Sequence, residues 1–309
     1  MKIYYGFDEV EKIPNAVVTT GSFDGVHMGH QKILSRLKEL ANESEGESVV
    51  ITFYPHPRKV LYPETTGKDL LMINTRKEKI HLLEKAGIQH LIFVEFTREF
   101  ANTTSAEFVE DYLVKKLNTK IYVTGQNHHF GRNRDGDIEE LKKLASDMNF
   151  KVELIPLQDI QNVDVSSTLI RESIFRGKLD KANVYLTHPY FIIGQLQNGS
   201  QHYKRMGYHT FRIEIAEKYK LIPPCGSYRV KVNFHGHVEN GIALISTCTN
   251  SLTESVLDIY VKNLNRRDLF GREIVIYFAE ELNVQDDEKK GSLLNSIMMK
   301  DLIRFDSNG

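Results

Sequence analysis

The sequence predicts an α/β protein: a parallel sheet covered by helices over residues 1–185, then an antiparallel β-barrel or sandwich over 186–309 that ends in a helix. Two observations carry this. Up to about residue 185, short continuous apolar runs alternate with stretches of helical apolar spacing, as in strands buried on both faces of a parallel sheet. Beyond that point the runs become short, often alternate apolar with polar residues, and are separated by turn residues, as in antiparallel strands.

In the first part, strands are expected at 16–20, 48–53, 90–96, 120–124 and 151–156. Helices are expected between them at 27–40, 75–86, 105–117 and 138–147. In the first helix Ile33, Leu34, Leu37 and Leu40 share a face; in the third Phe108, Tyr112, Leu113 and Leu117 do the same. Two further helical pieces, 166–176 and 179–185, precede the change of pattern, which places the domain boundary at 185/186. The second part offers strands at 189–196, 210–215, 228–234, 241–246, 256–262 and 273–278, and an amphipathic closing helix at 293–303. No internal repeat or low-complexity segment interrupts either part. Ligands of parallel sheets bind beyond the carboxyl ends of the strands, which is where the unusual residues of the first part lie.

The 309 residues suffice for two domains with their own cores. A net charge of −1 with 26% charged residues supplies no global field for nucleic acid or an anionic membrane, and neither is expected as a partner. Cys225 and Cys248 have neither CxxC spacing nor a companion histidine cluster and read as reduced structural thiols, with a disulfide between them as the lesser alternative. The amino terminus lacks the apolar core of a signal peptide, and no apolar run approaches the roughly 18 residues of a membrane span. The chain therefore reads as cytoplasmic, with Asn42, Asn102 and Asn198 as chance glycosylation matches.

The strongest chemical signal is GSFDGVHMGH over 21–30. A strand ends at Thr20; Gly21, Ser22, Phe23, Asp24 and Gly25 form a turn, and a helix starts near Val26 or His27. Free backbone N–H groups at a helix start carry partial positive charge and suit a triphosphate. His27 and His30 lie one turn apart and face the same side, with Gly29 between them allowing a nucleotide to approach closely. Asp24 is read as a turn former that either orients a histidine or lies near Mg²⁺.

Three other segments have physical readings of their own. In TFYPHP (52–57), Pro55 and Pro57 stiffen a loop that holds His56 outward, with Arg58 directly after it. In GQNHHFG (125–131), two glycines bracket Asn127, whose amide suits a phosphate or a ribose or simply a left-handed turn. In VSSTLIR (165–171), Ser166, Ser167 and Thr168 cap a helix, with Glu172 reaching back and Arg171 completing an oxyanion cluster.

The string GSFDGVHMGH resembles the HxGH nucleotidyltransferase signature, and in its extended form GxFDGxHxGH it resembles the bacterial bifunctional riboflavin kinase/FAD synthetase family. The other three segments are similar, in order, to that family's TFxPHP, GxNFxFG and ISSTxIR motifs, so the resemblance spans the whole first part. It implies a Rossmann-like nucleotidyltransferase domain that joins ATP and FMN into FAD, with Mg²⁺ carried by the ATP and held by no dedicated all-protein site. By the resemblance His27, His30, Asn127 and Arg171 are catalytic. Gly21, Ser22, Phe23, Asp24, Gly25, Gly29, Ser166, Ser167 and Thr168 then bind ATP. Phe53, Pro55, His56, Pro57, Arg58 and Asn127 bind FMN.

The second part resembles the family's riboflavin kinase barrel through PYFIIG (189–194), CGSY (225–228) and DLFG (268–271). The family's GxPTAN segment corresponds to GYHTFR (207–212), which keeps Thr210 but carries His209 for proline and Arg212 for asparagine. Arg offers no acceptor to a metal. The catalytic glutamate position falls on Asp258. The expectation is therefore an FAD synthetase with a degenerate kinase site at Thr210, Arg212 and Asp258. The alternatives are a bifunctional enzyme that also phosphorylates riboflavin, or a flavin-binding regulator without catalysis. A stabilising, sensing or oligomer-forming role for the barrel is equally compatible with the sequence.

Overall fold

The computed structural model describes residues 1–125, 129–155, 159–160, 163–199, 210–234, 236–247, 255–261 and 270–282. The chain forms two compact units, one of Met1–Leu71 with Arg76–Ser167 and the other of Met72–Thr75 with Thr168–Gly309.

In the first unit the strands, in chain order, are β1 (Lys2–Tyr5), β2 (Val17–Thr20), β3 (Ser48–Tyr54), β4 (His90–Glu95), β5 (Ile121–Gly125) and β6 (Lys151–Ile155). They form one sheet in the order β1-β4-β3-β2-β5-β6, with every pairing parallel. The four interior strands and the edge strand β6 fall where the apolar runs predict them; strands covered on both faces are continuously apolar. All four residues of β2 are buried, as are Ser48–Thr52 of β3. The edge strand β1 escapes sequence reading: four residues are too short for a period, and it is fixed by its nonlocal register with β4, Lys2 opposite His90.

Helices α1 (Met28–Glu43), α2 (Pro57–Leu61), α3 (Arg76–Lys85), α4 (Ser105–Glu107) and α5 (Ile138–Asp147) complete this unit. Helix α1 buries Leu34, Leu37, Leu40 and Ala41 and packs on β2, β3 and β5. A Thr104–Glu107 capping box starts α4. The α-helix expected over 105–117 then continues as a π-helix, Phe108–Lys116, in which Phe108, Val109 and Leu113 are buried and Tyr112 is only half-buried. From β2 the chain runs outward to β3 and β4, then returns to the other side of β2 as β5. The β2–β5 junction is thus the switch point of the sheet, where parallel sheets open a crevice at their carboxyl ends.

The second unit holds α6 (Ser167–Phe175, apart from its first residue), α7 (Leu179–Leu186) and a closed antiparallel barrel. A two-stranded hairpin, β7 (Asp159–Ile160) with β8 (Val163–Asp164), comes before it in the chain. The barrel strands are β9 (Phe191–Asn198), β10 (Thr210–Glu214), β11 (Gly226–Phe234), β12 (His237–Thr247), β13 (Ser255–Val261) and β14 (Glu273–Glu281). Their order is β10-β13-β12-β11-β14-β9, so the sequence pattern's barrel option is the one realised. Closure removes every exposed edge. Alternation decides which residues point inward: on β14, Ile274, Ile276 and Phe278 are buried while Glu273, Val275 and Tyr277 are half-exposed. Asn183 ties α7 to the barrel, donating to the Phe278 carbonyl (3.1 Å) and accepting from the Tyr190 N–H (2.6 Å). The compact units part at Ser167/Thr168, so that most of α6 and all of α7 fall in the barrel's unit, whereas the pattern of the sequence changes at 185/186.

The segment Met72–Thr75 also belongs to the barrel unit. The Met72 N–H donates to the Tyr219 carbonyl (2.7 Å) and the Leu221 N–H to the Met72 carbonyl (2.8 Å). The buried Lys220 ammonium donates to the carbonyls of Ile73 and Phe191. The expected helix at 293–303, the disulfide partner Cys248 and the segment 200–209 lie outside the described residues; Cys225 is exposed. Among the described residues no helix is long and apolar enough to cross a membrane.

Candidate active site

The loop between β2 and α1 occupies the switch point. The Gly21 N–H donates to the Ile51 carbonyl (3.0 Å), which continues the sheet by one residue before the chain turns. Phe23, Asp24 and Val26 are then buried almost completely, and Phe23 and Val26 adopt positive φ of 45° and 40°. For a β-branched residue this is a costly backbone conformation that only surrounding structure can hold. The strain lies in the five residues that bring His27 to the start of α1.

His27 occupies the position before the first turn of α1, and its side chain does not cap the helix. That turn carries no acidic residue, so its N–H groups and their partial positive charge remain available to an anion. The imidazoles of His27 and His30 are stacked, with centroids 3.7 Å apart and planes at 21°, and Phe23 packs against His30 at 5.0 Å. A Cβ at Gly29 would come within 3.3–3.4 Å of the His27 ring, so Gly29 leaves room first for that imidazole. Both Nδ1 atoms are buried, and that of His30 finds no hydrogen-bond partner among the described residues. Burial, and then the neighbouring positive charges of His27 and Lys79, hold His30 well below the usual imidazole range, so its ring is neutral at pH 7.

That shift has a consequence for stability. Unfolded His30 titrates near its ordinary value of 6.5, whereas the folded ring resists the proton. The unfolded chain therefore binds more protons below that pH, and stability declines as pH falls from about 6.5 toward the folded value, with no loss above it. Subtracting the unfolding free energy of His30→Gln from that of the wild type should give a difference that shrinks between about pH 7.5 and 5.5. A difference constant over that range contradicts the assignment.

The remaining predicted residues divide by location. The Ser167 hydroxyl donates to the Asp24 carbonyl (2.8 Å), which brings Ser167 against the glycine turn. Glu172 does not reach back to the helix start as expected; it pairs with Arg176 (2.6 Å), the i,i+4 neighbour available to it on α6. Ser166 precedes α6, while Thr168 and Arg171 lie on it, in the second compact unit. Phe53, half-buried, follows the buried part of β3 and packs on Phe96 (5.4 Å) and Phe100 (5.9 Å). Pro55 is exposed and Pro57 opens α2. His56, expected to point outward from a stiff loop, also caps α2 by accepting from the Arg58 N–H (3.2 Å), and the Arg58 side chain is exposed. Asn127 lies outside the described residues.

One residue of this site was missed in the sequence. Lys79, on α3, is buried and donates to the Ser22 carbonyl (2.6 Å) and the Thr52 hydroxyl (3.2 Å), and Thr52 itself donates to Ser22 (3.2 Å). In RKEKIHLLEK one lysine among four basic residues reads as solvated, and only packing singles it out.

In the barrel, Arg212 and Asp258 face each other across the β10–β13 ladder. They form a forked ion pair, Nε to Oδ1 at 3.1 Å and Nη2 to Oδ2 at 3.2 Å, with Asp258 buried. Thr210 is buried on the same strand, and its hydroxyl has no hydrogen-bond partner among the described residues.

Comparison with known families decides between the readings left open by geometry. The FAD synthetase family model matches residues 9–169 and the riboflavin kinase model matches 186–305. The chain belongs to the bifunctional riboflavin kinase/FMN adenylyltransferase family. A member from Listeria monocytogenes is 32% identical over 273 residues, covering 87% of this chain and 85% of that protein. One from Bacillus subtilis is 32% identical over 237 residues, covering 76% and 73%. A Listeria monocytogenes protein named FAD synthetase is 39% identical over 184 residues, 60% of this chain and 73% of its own length. A solved structure named Macrolide-efflux Protein, from Streptococcus pneumoniae, shares the fold with a TM-score of 0.84 at 24% identity, over 98% of this chain and 97% of that one.

Family membership makes this chain a nucleotidyltransferase of the FAD synthetase type, with FMN as substrate and FAD as product. It does not support the expectation of a single activity, and the bifunctional alternative lies nearer to it. The riboflavin kinase match runs through Thr210, Arg212 and Asp258, and the relatives from Listeria monocytogenes and Bacillus subtilis that share 32% identity are named bifunctional. Arg212 and Asp258, read together as the loss of the kinase site, form an ion pair with each other, and Thr210 is buried on the same strand.

Proposed function

We propose that the chain makes FAD from riboflavin in two steps, phosphorylating riboflavin with ATP in the barrel and adenylylating the resulting FMN in the parallel-sheet domain. The observation that carries the second step is the stacked His27–His30 pair at the start of α1, beyond the carboxyl end of β2. In that step an FMN phosphate oxygen attacks the α-phosphorus of ATP. The new P–O bond forms as the bond to the β-phosphate's bridging oxygen breaks, and pyrophosphate departs with the electron pair.

Such a transfer depends on positioning and charge neutralisation, with no covalent enzyme intermediate. The N–H groups of the first turn of α1 bind the phosphates. In this reading the stacked imidazoles of His27 and His30 meet the α-phosphate, where negative charge builds in the transition state. Ser166, Ser167, Thr168 and Arg171 extend the phosphate site, while Phe53, Pro55, His56, Pro57 and Arg58 receive the flavin nucleotide, with Asn127 between the two. Mg²⁺ enters as part of the ATP complex, held by phosphate oxygens and water. Among the described residues no three His, Cys, Asp or Glu side chains converge on one point. A cytoplasmic location, where ATP is supplied, belongs to the same proposal. The division of labour follows the boundary read from the sequence, 1–185 and 186–309.

The test is a pair of reactions separated by chromatography. ATP with FMN should yield FAD and pyrophosphate, and ATP with riboflavin should yield FMN and then FAD. Absence of FAD in the first reaction overturns the adenylyltransferase assignment. Absence of FMN in the second, with FAD still formed in the first, restores the monofunctional reading.

A further inference from the structure

Lys79 is the buried cation nearest in kind to a catalytic group that neither the family motifs nor the sequence reading assigns. It stands on α3 between Glu78, also buried, and the half-buried Ile80, and helix α3 turns Glu78, Lys79, Leu82 and Leu83 inward. A lysine is rarely placed so far from water unless its ammonium meets specific acceptors. Here two acceptors are the Ser22 carbonyl, inside the strained turn, and the Thr52 hydroxyl, at the end of the neighbouring strand β3. Thr52 donates to the same carbonyl, so one peptide oxygen of the turn receives two hydrogen bonds from behind. That peptide lies directly before Phe23, the first of the turn's positive-φ residues, whose ring supports His30.

We propose that Lys79 is a positioning residue for adenylyl transfer, its ammonium fixing the Ser22 peptide so that the turn, the start of α1 and the histidine pair keep their aim at the nucleotide phosphates. The proposal rests on the adenylyltransferase reading above. Two effects combine. The hydrogen bonds hold a turn whose backbone would otherwise relax from positive φ. The positive charge lies behind a loop that receives anionic phosphates, and its proximity also contributes to keeping His30 neutral before they bind. Lys79 touches neither reacting atom, so its removal should act on the rate of the bound complex.

The experiment uses the full chain with ATP and FMN. Lys79→Met removes charge and donors; Lys79→Gln keeps a donor without the charge. Both are expected to lower kcat about 10- to 100-fold with KM for FMN unchanged and cooperative thermal unfolding retained, Gln losing less than Met. Lys79→Arg, which restores charge and donors, should recover part of the rate. Wild-type kcat in a folded Lys79→Met overturns the proposal, as does a rise in KM for FMN that accounts for the whole loss. Should neither variant fold, Thr52→Val decides: it removes one acceptor of the ammonium and is expected to lower kcat severalfold, and an unchanged kcat overturns the inference. A wild-type chain that makes no FAD defeats the adenylyltransferase reading itself, an outcome distinct from all of these.

Discussion

His30→Ala should lose about two to three decades of FAD formation from FMN and ATP, the usual cost of removing one transition-state donor, while still unfolding cooperatively. The ring is half of a 3.7 Å stack, and its Nδ1 is buried without a partner among the described residues. A neutral imidazole held in that position is costly for folding and has its use when anionic phosphate arrives. Phosphate oxygens oppose the burial and cationic neighbours that depress its pKa, so a bound nucleotide should also raise the His30 pKa, which an NMR titration with and without a non-hydrolysable ATP analogue would follow. The variant has a second readout. Supplied with riboflavin and ATP, it should accumulate FMN, because the barrel's step does not use His30. Wild-type FAD output from His30→Ala removes the histidine pair from the mechanism.

The second large effect belongs to the barrel. Phe278→Ala is expected to destabilise the chain by about 3–5 kcal/mol, the usual cost of emptying a fully buried aromatic site. Phe278 has no exposed surface, and its ring meets Tyr190 at 5.8 Å and Tyr228 at 5.7 Å. Its strand β14 pairs on both sides, with β11 and β9, so a closed sheet has no free edge along which to collapse into the cavity. Urea unfolding should report the loss as a lower midpoint. FMN formation from riboflavin should fall more than FAD formation from FMN. An unchanged midpoint would mean that the barrel interior relaxes as a small surface site does, contrary to its packing.

Much of the fold and of the first site is legible in the sequence. The apolar runs gave five of the six parallel strands, because a strand covered on both faces has no polar alternative. The glycine turn followed by HxGH could be read as an anion site, because a helix start and an i,i+3 pair are local geometry. What failed was nonlocal or rested on single positions. Strand β1 exists through its pairing with β4, and the π-helix Phe108–Lys116 mimics an α-helical period over its short length. The expected Glu172 cap lost to Arg176 one turn away. Arg212 and Asp258, read together as a degenerate kinase site, are register partners that pair with each other.

By itself the sequence determined the two-part architecture and the chemistry of the Gly21–His30 segment. Periodicity, turn residues and spacings within one helical turn fix those through neighbours along the chain. Only the tertiary structure decided what lies behind that segment. Ser22 meets Lys79, 57 positions away, and the Asp24 carbonyl meets Ser167, 143 positions away. Met72–Thr75 joins the barrel although α3, which follows directly, belongs to the parallel sheet. The physical reason is the same in each case. A polar group buried far from water must find its partner in space, and the partner's distance along the chain leaves no mark on local pattern.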